Sequence, residues 1–135
     1  MLYANDDLRY DDYPMPRPGK GEVLVKVRAT GICGSDVPRV LHNGAHFYPI
    51  VLGHEFSGEI VELGEGVEGF SVGDRVAGAP LIPCFQCNHC QKGSYSLCKS
   101  YSFIGSRVQG SFAQYIKLNA RNAVKIKPIE AMKRD

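Results

Sequence analysis

No apolar run in the sequence approaches the ~20 residues that a membrane-spanning helix needs, so a helical membrane protein is not expected. Charge of one sign is also scarce. Sixteen Lys and Arg against fourteen Asp and Glu leave a net charge of +2, with the basic residues scattered, which argues against nucleic acid as a partner. The opening stretch MLYANDDLRYDD is polar and acidic. It has neither the basic start nor the apolar stretch of an export signal, so a cytoplasmic, reducing setting is expected. Internal repeats and low-complexity segments are absent. What is present, 135 residues with 44% hydrophobic and 22% charged content, is enough for one soluble globular domain with one core.

Short alternating segments dominate. GEVLVKVRATG puts Val23, Val25 and Val27 on one face and Lys26 and Arg28 on the other. SGEIVELG, VGDRVAG, SFAQYIKL and NAVKIKP read as further strands, the last with Val124 and Ile126 inward and Lys125 and Lys127 outward. Only SDVPRVLHNG reads as a helix: Ser35 or Asp36 can cap it, Pro38 fits its first turn, and Asn43-Gly44 stops it. Many short strands between glycine and proline turns predict a mainly β fold, a partly open barrel with little helix.

Four of the five cysteines lie in PCFQCNHCQKGSYSLC, as Cys84-x2-Cys87-x2-Cys90-x7-Cys98. Four thiolates close a tetrahedral shell around zinc and leave no open position, which makes such a site structural. An iron–sulfur cluster would continue with a fourth cysteine after three residues and then proline, whereas here the interval is seven and Lys99 follows. Disulfides would need an oxidising compartment. The ligand rules therefore favour a zinc lobe hanging off the barrel. His89 falls inside it, but four thiolates already fill the shell, and a solvent-facing side chain is expected.

Cys33 stands apart in TGICGSD. An isolated cysteine is usually a small buried apolar residue, and an isolated histidine is usually structural. However, LGHEFSG places His54 and Glu55 at the edge of another strand, and Cys, His and Glu can together form the three-ligand shell with one open position that catalytic zinc uses. Asp36 is then a candidate to orient the His54 ring, and Ser35 to pass a proton. On the residues alone, both readings stand.

GHEFSGEIVELGEGV, as Gly53-His54-Glu55-x2-Gly58-x5-Gly64-x2-Val67, resembles the zinc signature of the medium-chain alcohol and polyol dehydrogenases. GICGSD, the four-cysteine lobe, VGDRVA and GSFAQYI follow in that family's order, and the resemblance spans nearly the whole chain. ICGSDVPRVLHNGAHFYPIVLGHEFSG and YSFIGSRVQGSFAQYI are most similar to its sugar-alcohol-phosphate branch. The resemblance implies a GroES-like catalytic domain over residues 1–135 and two zinc ions. Cys33, His54 and Glu55 match the catalytic-zinc positions, Ser35 the proton relay, and Cys84, Cys87, Cys90 and Cys98 the structural-zinc positions. It also implies NAD as hydride acceptor, a small polyol or polyol-phosphate substrate, and a homo-oligomeric full-length enzyme. Gln114 departs from the glutamate that many members carry. Arg39, His42, His46 and Arg107 fall in the segments most similar to the phosphate branch, where arginine suits phosphate, although each taken singly reads as ordinary surface charge.

The family's dinucleotide (Rossmann) domain has no counterpart in this sequence. GEGVEG, Gly64 to Gly69, satisfies G-x-G-x-x-G and follows a strand, but FSVGDRV leads into another strand and not a helix. No cofactor-binding residue is therefore assigned, and the chain by itself is expected to be inactive. A further carboxylate of the family falls beyond Asp135, and Glu130 comes too early to be it. A zinc-stabilised binding module would need only the lobe, and a co-chaperonin of the same barrel would need neither metal motif.

Overall fold

The computed structural model describes residues 1–127. The reading of Glu130 as too early for the further carboxylate lies outside them, as does the last residue of NAVKIKP. The centre of the molecule is a five-stranded antiparallel sheet. Its strands are β3 (Glu22–Gly31), β4 (Glu55–Leu63), β5 (Arg75–Gly78), β8 (Tyr115–Asn119) and β9 (Ala123–Lys125), in the order β8-β3-β4-β5-β9. Two small two-stranded sheets flank it: β1 (Leu2–Ala4) with β2 (Asp7–Leu8), and β6 (Leu81–Ile82) with β7 (Ser102–Phe103). The sheet curls around Val23, Val25, Phe56, Ile60, Val76, Ile104, Ile116 and Leu118, which form the main core. A second cluster of Leu2, Ile50 and Leu52 pins the N-terminal arm. This is the mainly β, half-closed barrel that the alternation predicts. No helix among the described residues is long and apolar enough to cross a membrane.

Several local expectations need correction. Irregular register between Leu24 and Val25 and between Val27 and Ala29 interrupts the strict alternation of β3, and Leu24 is buried as well as Val23 and Val25. Ser111 to Gln114 is not strand; it bends around Gly53 before β8 begins. Val124 and Ile126 do not point inward. They are 55% and 40% exposed, and β9 turns only Ala123 to the core. β9 is an edge strand of the sheet, paired only with β5. SDVPRVLHNG is helical in two parts, α1 (Asp36–Pro38) and a wide π-type turn over Arg39–Asn43, with Gly44 following at φ 69°. Ser35 occupies the N-cap position without a capping bond from its side chain. The Asp36 carboxylate turns back to Cys33 instead. The lobe contains two short helical turns not anticipated, α2 (Asn88–Gln91) and a 3-10 turn at Tyr95–Leu97.

Candidate metal centre

The fold brings together two separate groups of ligand atoms. Cys84, Cys87, Cys90 and Cys98 form one, and Cys33, His54 and Glu55 the other; within each group the ligand atoms lie within 4.8 Å of one another.

In the lobe, Cys87 Sγ is 3.5 Å from Cys90 Sγ, and Cys84 Sγ is 3.9 Å from Cys90 Sγ. A tetrahedron with Zn–S of about 2.3 Å has edges of ~3.8 Å, whereas a disulfide needs about 2.05 Å. All five cysteines are free thiols, so the spacing fits zinc and excludes a disulfide in this geometry. Backbone N–H groups aim at the sulfurs. Cys87 donates to Cys84 Sγ at 3.4 Å, and Cys84 donates to Cys98 Sγ at 3.3 Å. The Cys90 N–H is the main cause that holds the Cys87 thiol down to about 6. The N–H groups of Gln86 and Cys87 lower Cys84, while burial pushes Cys90 up to about 12. The loop is thus built to carry anionic sulfur, with one thiol that gives up its proton only to a strong competitor. Phe85, at φ 59°, packs edge-on to Tyr95 and receives the Arg121 guanidinium at 4.7 Å over its ring. This ties the lobe to the barrel. His89 is not among the clustered ligands.

The second group sits where β3 ends and β4 begins. Gly31 and Glu55 are register partners. An added Cβ on Gly31 would lie 3.0 Å from Glu55 Oε2, so the bare backbone makes room for that carboxylate. Cys33 follows two residues later, in a turn closed by Asp36 N–H to Cys33 C=O at 2.9 Å. Gly53 at φ 96° turns the chain so that His54 faces inward, and a side chain there would meet Ser111 Oγ at 2.6 Å. Ser111 and Thr30 share a 2.8 Å hydrogen bond, and Thr30 Oγ1 donates to the Glu55 carbonyl at 3.2 Å. His54 is 7% exposed, Cys33 half-buried and Glu55 exposed, so one side of the cluster is open to solvent. The edge of the His54 and Phe103 rings meets at a centroid distance of 5.5 Å.

Asp36 is 2% exposed. Its Oδ2 accepts the Cys33 N–H at 3.0 Å. Its Oδ1 lies 3.6 Å from His54 Nδ1, and these two atoms are both buried without a hydrogen-bond partner. Such orphans are costly, and they point at each other. That arrangement leaves Nε2 as the ring nitrogen for a metal, which fits the donor set of thiolate, imidazole and carboxylate that zinc accepts. Ser35 is exposed in the same turn. Of the four residues in the segments similar to the phosphate branch, Arg39 is engaged with Asp36, and Arg107 lies over the Tyr101 ring. Sequence reasoning missed the Gly31 notch, the Thr30–Ser111 brace and the Phe103 contact. Only Gly31 in ATGICG was a visible signal.

A family model described as the alcohol dehydrogenase GroES-like domain matches residues 19–128. The chain belongs to that family. Among its GroES-like relatives, the galactitol 1-phosphate 5-dehydrogenase of Escherichia coli K12 is 56% identical over 101 residues, covering 75% of this chain and 29% of the relative. The crystal structure of galactitol-1-phosphate dehydrogenase from Escherichia coli matches with a TM-score of 0.89 at 45% identity, over 96% of this chain and 39% of that one. A sorbitol dehydrogenase of Halalkalibacterium halodurans is 49% identical over 104 residues, covering 76% of this chain and 30% of the relative. A protein of Sinorhizobium meliloti 1021 described as a "putative zinc-binding dehydrogenase", solved bound to NADP, matches with a TM-score of 0.88 at 35% identity, over 94% of this chain and 37% of that one. The chain therefore spans less than a third of the length of these curated relatives. The loop from Gly64 to Gly69 leads to β5 and not to a helix.

Proposed function

We propose that this chain is the zinc-binding catalytic portion of an NAD-dependent medium-chain polyol dehydrogenase, which oxidises a secondary alcohol to a ketone. The preferred substrate is galactitol 1-phosphate, giving tagatose 6-phosphate. The observation that carries the reading is the convergence of Cys33, His54 and Glu55 on one solvent-open point, separate from the closed four-thiolate lobe. A purely structural module has no use for the second group. The galactitol-phosphate preference rests on the 56% identity to the enzyme of that name.

In this reading Cys33, His54 and Glu55 hold the catalytic zinc, and the lobe holds the structural one. Zinc at the open site supplies Lewis acidity, which lowers the pKa of a substrate hydroxyl toward neutrality. Asp36 fixes the ligands: one oxygen anchors the Cys33 backbone, and the other faces the His54 ring. Ser35 Oγ, exposed beside Cys33, takes the substrate's proton and passes it to solvent. The hydride would leave the substrate's carbinol carbon for NAD, which a dinucleotide-binding domain not formed by residues 1–127 would hold.

Metal analysis tests the reading. The purified chain should carry two zinc ions, one of them removed readily by chelator, and His54→Ala should abolish only that labile one. A single zinc in the unmutated chain, or an unchanged count in His54→Ala, would overturn the catalytic-metal assignment. Comparison of galactitol 1-phosphate with sorbitol on the full-length enzyme decides the substrate.

A further inference from the structure

We infer that Arg39 is a positioning residue of the open metal site, a strut that joins the two segments carrying Cys33 and His54. The inference rests on the metal reading above.

Arg39 opens the π-type turn that follows α1, and local widening of this kind often marks a functional position. Its side chain is only 20% exposed, low for an arginine. Its Nη1 makes two contacts. One is to Asp36 Oδ1 at 3.6 Å, and the other is to the Gly105 carbonyl at 3.5 Å. Each contact reaches a different ligand segment. Asp36 holds the Cys33 backbone through Oδ2 and faces His54 Nδ1 through Oδ1. Gly105 packs against the Gly53 peptide, where an added Cβ would lie 2.8 Å from the Gly53 carbonyl carbon. Gly53 is the residue that aims His54. A closed circuit results: Cys33, Asp36, Arg39, Gly105, Gly53, His54. Arg39 is the one cation in it.

The physical need is clear from Asp36. A buried carboxylate requires a compensating charge or full hydrogen bonding. One of its oxygens is satisfied by the Cys33 N–H, and the other has no hydrogen bond. A neutral imidazole gives that oxygen one donor at most, so the guanidinium supplies the charge balance. Arg39 therefore keeps Oδ1 facing the His54 ring, and it keeps the Gly105 turn pressed on Gly53. Groups that orient metal ligands in this way are typically worth 10–100-fold in metal affinity.

The experiment is a zinc titration with a chromophoric chelator as competitor, paired with cobalt substitution and a thermal melt, on the chain with Arg39→Met and Arg39→Lys. In Arg39→Met, affinity at the labile site should fall by about 10–100-fold, affinity at the four-cysteine lobe should stay unchanged, and the visible spectrum of cobalt at the open site should shift. Arg39→Lys keeps a charge near Asp36 and should recover part of the loss. A folded Arg39→Met chain with unmutated affinity at both sites would overturn the proposal. Equal weakening of both sites would also overturn it, because that signals general destabilisation. If Arg39→Met does not fold, Arg39→Gln is read by the same criteria. Absence of a second metal in the unmutated chain would sink the metal reading itself, and this inference with it.

Discussion

Replacing Cys87 with serine should unfasten the lobe and leave the barrel standing. Across residues 83–98 only Pro83, Cys90 and Cys98 are buried, so two of the three buried residues are themselves ligands. Leu97 is 59% exposed and Tyr95 43% exposed, so neither supplies a core. Apart from the contacts of Phe85 with Tyr95 and Arg121, little packing orders the segment, and a bound metal is expected to supply the rest. Structural zinc sites contribute roughly 10–16 kcal/mol; an equal share for each of four thiolates gives ~2.5–4 kcal/mol, or about 60–700-fold in affinity. Serine leaves a poorer donor at the position where Cys87 Sγ lies 3.5 Å from Cys90 Sγ. Zinc release to a chelator and limited proteolysis measure the two effects. Affinity should drop by about 60–700-fold and cleavage should concentrate within 83–98, while the sheet around Val25 and Ile60 keeps its melting transition. If the variant retains lobe zinc as firmly as the unmutated chain and resists cleavage there, the metal is not what orders the lobe.

Acidification should weaken zinc binding by the lobe with a change of slope. The Cys87 thiol is held down to about 6, so its anionic form is present above that value, and as pH falls through it one further proton competes with the ion. Lobe zinc affinity, read by chelator titration, should therefore fall more steeply with pH below about 6 than above it; an affinity that does not change between pH 7 and pH 5 would contradict the assignment. Calorimetry with NAD on this chain should show no binding, because the glycines from Gly64 to Gly69 turn into β5 and offer no helix N-terminus for a pyrophosphate. Micromolar affinity would mean that those glycines have been misread.

The strands of the central sheet could be read from the sequence wherever one face is buried. Val23 and Val25 are fully buried, as the period-2 pattern demands. The reading failed on β9, where Val124 and Ile126 looked like an inward face. Periodicity tells which residues share a side, and burial of that side depends on what the rest of the molecule packs against it. The two-residue strands β2, β6 and β7 carry no period at all; tertiary pairing creates them. At the site, the ligand residues were legible because thiol, imidazole and carboxylate are rare chemistry at recognisable spacing. Their supports were not. Arg39 reads as an ordinary charge on a helix, and nothing in its neighbours announces Gly105, sixty-six residues away. Likewise, Thr30 and Ser111 are eighty-one residues apart and look like two loop hydroxyls until the fold joins them.

The Gly31–Glu55 pairing has a consequence for the order of assembly. The lobe draws all its ligands from one stretch of chain, Cys84 to Cys98, and can capture an ion as a local event. The other group exists only after β3 and β4 have zipped in their native alignment, a longer-range event that costs more chain entropy. A slip of one residue between those strands would swing Glu55 to the opposite side of the sheet and take it away from Cys33 and His54. On the proposed metal reading, the lobe could take up its ion before the sheet has closed, whereas an ion at the second group would report a chain whose β3 and β4 have paired in their native register.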